Sequence, residues 1–388
     1  MTTGSLLLAV EADGAGAHPA AGRQPGVSGT APEPGSILDP RSVKETVAIA
    51  ERAGFALAAF GDGPVPPPTG ARIEAGVRAA YLSQLTQSIG LAPTLHVTTT
   101  EPFHLATQLA SLDHASHGRA AWVVGAANDG PARATIGAAP LDDGARSQEI
   151  RDVIDVARAL WDSWEDDAVI KDLATGRFLD NDKVHHIRFE GASFSVVGPL
   201  ITPRPPQGQL VVIAADSLGV ADRADITLVG GFSALTGHGQ RVIAQRAERA
   251  REAGSPLVFA ELEVALDLPG ERAARRLTRL NSVEPWRITD RTRFSGSAAA
   301  LTEFLAGLTA HIDGVLFYPA ETAVDLPVLA DEVLPALTAS GLARRPDPDA
   351  VTLRDVLGLP RPVNRFADPA RTAETAVSAD SGRNTASV

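Results

Sequence analysis

The feature that most constrains this chain is a rhythm. Short β-type runs alternate with helical patterns from one end to the other. The runs are Leu6–Val10, Phe55–Phe60, Ile89–Val97, Arg119–Ala126, Leu210–Ala215, Ile226–Val229, Leu257–Leu266 and Gly314–Tyr318. Between them, apolar residues recur at helical spacing, as at Val43, Val47 and Ala50, and Gly54 stands where that helix stops. Strands that alternate with helices form a parallel sheet with the helices outside. Eight such repeats predict a closed α/β barrel, (β/α)8, in preference to an open doubly wound sheet. The stretch around 166–204 breaks the rhythm with Gly176, Asn181-Asp182 and the alternating Phe194-Ser195-Val196. It predicts an insertion of short antiparallel strands after the fourth helix. Residues 1–366 thus read as one barrel domain with this excursion, and 367–388, rich in Ala, Ser, Thr and Asp, read as a disordered tail.

Composition removes several classes of function. The net charge is −12, with no basic patch to offset it, which argues against nucleic acid. There is no cysteine, so disulfides, thiolate metal sites and Cys nucleophiles are excluded, and a cytoplasmic location fits. Ser5–Val10 is apolar but short, and no run approaches the roughly 20 apolar residues of a membrane helix. His114 and His117, and the adjacent His185 and His186, lack the carboxylates of a metal motif and read as structural. A barrel carries its active site at the C-terminal ends of its strands. Those ends are Glu11–His18, Asp62, His96–Thr100, Ala126–Asp129, Asp216–Ser217, Gly230–Gly231, Asp267 and Tyr318–Pro319.

Particular runs then carry a resemblance. They include Pro102-Phe-His-Leu-Ala, Ser111-Leu-Asp-His-Ala-Ser, Gly118-Arg-Ala-Ala-Trp122, Ala159-Leu-Trp-Asp-Ser-Trp-Glu-Asp-Asp-Ala168 and Thr352-Leu-Arg-Asp-Val-Leu-Gly-Leu-Pro-Arg-Pro362. Spread in order over most of residues 80–366, they resemble the bacterial luciferase-like flavin monooxygenases of the nitrilotriacetate monooxygenase type. The resemblance implies a TIM barrel with insertions. It also implies reduced FMN supplied by a separate flavin reductase, and insertion of one oxygen atom from O2 into a small organic substrate. An oligomer follows as well, either a homodimer or a hetero-oligomer with a related chain.

Carried over by position, the resemblance puts Asp62 and Thr94 beside the flavin ring. It puts Arg146 and Ser147, before the fourth helix, at the phosphate, together with a turn Ala214-Ala-Asp-Ser217 in which Ser217 caps the following helix. His18, in Gly16-Ala-His-Pro-Ala-Ala21, and His96, where relatives carry a small hydroxyl residue, are the candidate catalytic groups. Val123, Ala126, Ala127, Ser147 and Asp216 stand where the family keeps other groups, and Asp216 adds negative charge beside an anionic ligand. The segment Pro269–Ser295 reads as a shortened part of a lid. Two alternatives stay open on the same barrel: an oxidoreductase using the deazaflavin F420, and a non-catalytic paralogue acting as a partner subunit.

Overall fold

The computed structural model describes residues 4–22, 38–67, 71–231 and 237–367. The proposed tail from 368 onward lies outside the described residues. The rhythm read from the sequence is present. Parallel strands β1 (Leu7–Glu11), β2 (Leu57–Phe60), β3 (Gly90–His96), β4 (Ala121–Gly125), β5 (Val211–Ala215), β6 (Ile226–Val229), β7 (Leu257–Leu266) and β8 (Gly314–Pro319) pair in sequence order. The ring closes where Leu7 pairs with Gly314 across β1 and β8. Between them and the solvent lie helices, among them Arg41–Ala53, Pro102–Ala115, Asp143–Trp161 and Gly237–Glu252. The excursion contains two antiparallel pairs, Val169–Asp172 with Arg177–Leu179 and Phe189–Glu190 with Ser195–Val196.

Alternation along each strand splits the core in two, as a closed barrel requires. On β1, Leu8 and Val10 face the helices, while Leu7 and Ala9 face the lumen with Ala59, Ala92, Ala121, Ile213, Leu228 and Leu316. The lumen is therefore packed, with small residues on the β1–β4 side.

The sequence reading missed two elements. A helix, Ala273–Val283, and a rim strand, Thr292–Gly296, follow β7. The ten residues of β7 are long enough to pair twice along one edge. Its first half takes β6 (Ile226↔Leu257) and its second half takes the rim strand (Leu262↔Thr292). The extra strand thus stands above the barrel's C-terminal rim.

The N-terminal face is closed by the terminal motif. A short helix, Leu353–Leu357, is fixed by a reciprocal capping box between Thr352 and Asp355. It sends Leu353, Val356 and Leu357 against the lumen residues. Buried Arg354 donates to the Gln209 carbonyl at 2.7 Å and to Asp225 at 3.0 Å. The other family-like run is also a joint: Asp162 takes Arg204 at 2.9 Å, and Asp166 takes Arg361. Trp161 is fully buried there. Both motifs hold the scaffold, leaving the opposite rim for chemistry.

Candidate functional site

At the C-terminal rim, the candidate residues separate into groups. Asp62, His96 and Arg146 form a chain across the ends of β2, β3 and β4. His96 Nδ1 accepts the Ala127 N–H at 3.1 Å, which fixes the tautomer, and Nε2–H donates to the Asp62 carbonyl at 3.1 Å. Burial pushes the His96 pKa down. The Asp62 carboxylate is committed to the backbone, accepting the N–H of Gly63 at 2.7 Å and of Ala75 at 2.6 Å. Arg146 donates to the Ala126 carbonyl at 3.1 Å. Thr94 and Val123 are register partners on β3 and β4, half-buried below this chain.

His18 lies elsewhere. It is buried against Trp286, ring centroids 5.0 Å apart, accepts the Ala20 N–H at Nδ1, and donates from Nε2 to Asn281 Oδ1 at 3.2 Å. Burial lowers its pKa too. Both histidines therefore have both ring nitrogens engaged.

Three details of the proposed phosphate site are corrected. The helix expected from Gln148 begins at Asp143, because Asp142 caps it by accepting the Ala145 N–H at 2.8 Å, so Arg146 and Ser147 lie inside its first turns. The turn after β5 leads only into one 3-10 turn, Asp216–Leu218, with no side-chain cap, and Ser217 is exposed. Asp216 is neutralised: Arg246 grips its carboxylate with Nε at 2.6 Å and a second nitrogen. That arginine lies thirty positions on, beyond the reach of a local reading. The pair lines a cavity of about 330 Å³ with Val242, Gln245, Arg249 and Asp290.

The densest cluster of ionisable groups was not singled out from the sequence. It fills the half of the mouth over β1, β7 and β8. Tyr318 donates to Glu261 at 2.7 Å, and Arg291 donates to the same carboxylate at 3.3 Å while its guanidinium lies 3.5 Å above the Tyr318 ring. Arg293 grips Glu263 at 2.7 and 2.9 Å and covers Trp286 at 3.9 Å. Glu11 points into the same space. Burial pushes its pKa up to about 7 against the pull of Arg291. The signal was present: Glu261-Leu-Glu263 places two carboxylates at period two inside an apolar strand, and so aims both to one face.

Glycines open the rim, but the chain itself uses the space. A Cβ on Gly125 would meet the His96 ring at 2.7 Å, and one on Gly61 would meet the Glu11 carboxylate at 2.9 Å. A Cβ on Gly230 would overlap the Asp290 carbonyl oxygen. Among the described residues no cluster of metal-ligating groups occurs, and no helix is long and apolar enough to cross a membrane.

Comparison with known proteins gives the context. Residues 17–341 match the family model described as luciferase-like monooxygenase. N-acetyl-S-(2-succino)cysteine monooxygenase of Bacillus subtilis (strain 168) is 44% identical over 149 residues, 38% of this chain and 34% of that protein. Nitrilotriacetate monooxygenase component A of Aminobacter aminovorans is 41% identical over 139 residues, 36% of this chain and 31% of that protein. The chain thus spans about a third of the length of these relatives. In structure, EDTA monooxygenase from Chelativorans sp. BNC1 superposes with a TM-score of 0.74 at 21% identity, covering 92% of this chain and 99% of that one.

Proposed function

This chain belongs to the luciferase-like monooxygenase family, and from that premise we propose that it is the oxygenase component of a two-component flavin system. In this reading it takes reduced FMN from a separate flavin reductase and transfers one oxygen atom from O2 to a small organic substrate. The observation that carries the reading is the extent of the family match, which includes seven strands of the barrel and the rim residues Asp62, Thr94, His96 and Arg146.

The mouth as folded does not fit a flavin. The Gly230 clearing is filled by Asp290, Arg246 is taken by Asp216, and Arg291 covers the Tyr318 ring. What the half over β3–β5 offers is a polar shelf: Thr94 and His96 half-buried, with Arg146 as a cation at its edge. Flavin chemistry is the cofactor's own; the protein's part is to orient it and keep water away.

Anaerobic titration with reduced FMN, with F420 run in parallel, tests the reading. Saturable binding of FMN in the micromolar range, followed by oxygen consumption coupled to a substrate when a reductase is added, supports it. Absence of binding at high micromolar flavin, in the native chain and in variants whose mouth has been opened, sinks it. A second reading, a non-catalytic paralogue that pairs with an active chain, is favoured by the Asp216–Arg246 pair, which places an internal carboxylate where the resemblance expects a phosphate. It predicts a hetero-oligomer and no flavin binding in either form.

A further inference from the structure

We propose that the cavity bounded by Asp216, helix Gly237–Glu252 and Asp290 is a binding site for a small zwitterion, a free amino acid or a related aminocarboxylate. Its volume is about 330 Å³, at the lower end of the range for small-molecule sites (about 300–1,000 Å³). None of its lining residues belongs to the Glu261–Tyr318 cluster. One wall is a single face of the helix, because Val242, Gln245, Arg246 and Arg249 recur at i, i+3, i+4 and i+7. The neighbouring face, with Ile243, Ala247 and Ala250, is buried and fixes the helix on the barrel. The other wall is Asp216, just beyond the end of β5, and Asp290. The Asp290 carbonyl oxygen sits where Gly230 lacks a side chain, which holds that residue against the rim.

The two walls carry four charges, and only two of them are matched. Arg246 takes both oxygens of Asp216 and also donates to the Gly230 carbonyl at 3.0 Å. Arg249 and Asp290 are the remainder. Both side chains are exposed, and among the described residues neither makes a hydrogen bond or an ion pair, although Asp290 lies in the field of Arg246. The Gln245 amide is likewise without a hydrogen bond among the described residues. One cavity is thus lined by a cation and a carboxylate too far apart to pair with each other. A simple anion would suit Arg249 and be repelled by Asp290, and a simple cation would meet the reverse. A ligand of both signs suits both: its carboxylate takes the Arg249 fork and the Gln245 amide, and its ammonium reaches Asp290. Val242 offers apolar surface to the aliphatic part. The net charge of −12 gives a simple anion no help from the overall field, so recognition rests on these local groups.

The site needs no flavin, so it fails separately from the reading above. Isothermal titration of the full chain tests it with L-leucine, L-glutamate and L-arginine. Each is paired with its N-acetyl derivative, which lacks the ammonium, and its α-amide, which lacks the α-carboxylate. Inorganic phosphate serves as the simple anion. At least one free amino acid is expected to bind saturably, about tenfold or more tighter than both of its derivatives and than phosphate. Arg249→Ala and Asp290→Asn should each weaken that binding about tenfold or more, with unchanged melting temperature. Asp290→Asn should not weaken the N-acetyl form, which has no ammonium to lose a partner. Absence of binding by all three amino acids up to about 10 mM overturns the proposal. So does equal binding of the free and N-acetyl forms, phosphate bound as tightly as the amino acid, or affinity that survives both substitutions.

Discussion

Both ends of this barrel are closed by an arginine, and the two closures are built in opposite ways. At the N-terminal face Arg354 lies inside the fold, donating to backbone carbonyls and to Asp225, with Leu353, Val356 and Leu357 packed around it. At the C-terminal mouth Arg291 comes from the irregular segment 284–291 and Arg293 from the rim strand, and they hold Glu261, Glu263 and the Arg287 carbonyl. In the first closure Arg354 shares Asp225 with Arg158 and the Val212 N–H, and serves the Gln209 and Leu210 carbonyls, all in the interior. The second has carboxylates that water could solvate equally well. The plug is thus part of the scaffold, whereas the segment 284–291 is set against a mouth where ligands enter barrels of this kind.

Substitutions can break or sharpen this contrast. The largest effect is expected from Arg354→Ala, which removes one of two arginines from Asp225 and the donor to two interior carbonyls, and should cost about 2–4 kcal/mol in global stability by denaturant unfolding. A loss below about 1 kcal/mol would erase the distinction between the two closures. Next comes Glu11→Gln, whose effect depends on pH. The folded pKa of Glu11 is raised to about 7 from an ordinary 4.5, so the folded state binds the extra proton between those values. Stability from this group therefore falls as pH rises from 4.5 through 7, and the deficit persists above 7. The variant removes it: at pH 8 it should exceed the parent by up to about 3 kcal/mol, with the gap closing near pH 4.5. Equal melting curves at pH 8 would show that the folded protein does not hold this carboxyl's pKa up.

Arg291→Ala should cost only about 1–2 kcal/mol, the scale of one cation–π contact and one partly exposed ion pair. The loss should appear as faster hydrogen exchange in 284–291 rather than as global unfolding. Smallest in stability, below about 1 kcal/mol, is Asp216→Asn, which frees Arg246 from its internal carboxylate. Under the flavin reading it should tighten FMN about tenfold, and under the partner-subunit reading it should leave binding absent.

The fold was legible because a barrel repeats its own evidence: each strand and helix restates the pattern, and a boundary error of a few residues does no harm. The segment after β7 carried no such repetition. Arg272–Val283 mixes charge with apolar residues at a spacing that favours a helix, yet its partners are the distant Glu321 and Asp325, which Arg276 meets. The candidate site was legible only in part. Asp62, Thr94 and His96 sit at or near neighbouring strand ends, as their positions along consecutive strands implied, and Arg146 reaches the Ala126 carbonyl from the following helix. Asp216 looked like a repulsive charge because its neutralising arginine comes from the next helix. The acidic cluster belongs to no motif: Glu261 and Glu263 are marked only by their alternation in an apolar strand, and the arginines that hold them come from a segment with no repeating pattern.

Arg291 and Arg293 cover half the mouth of this luciferase-like barrel. The most direct measurement compares anaerobic binding of reduced FMN to the native chain and to the Arg291→Ala/Arg293→Ala double variant. The account predicts binding about tenfold or more tighter in the variant, with the melting temperature of the barrel nearly unchanged. Equal affinity in the two proteins would contradict it.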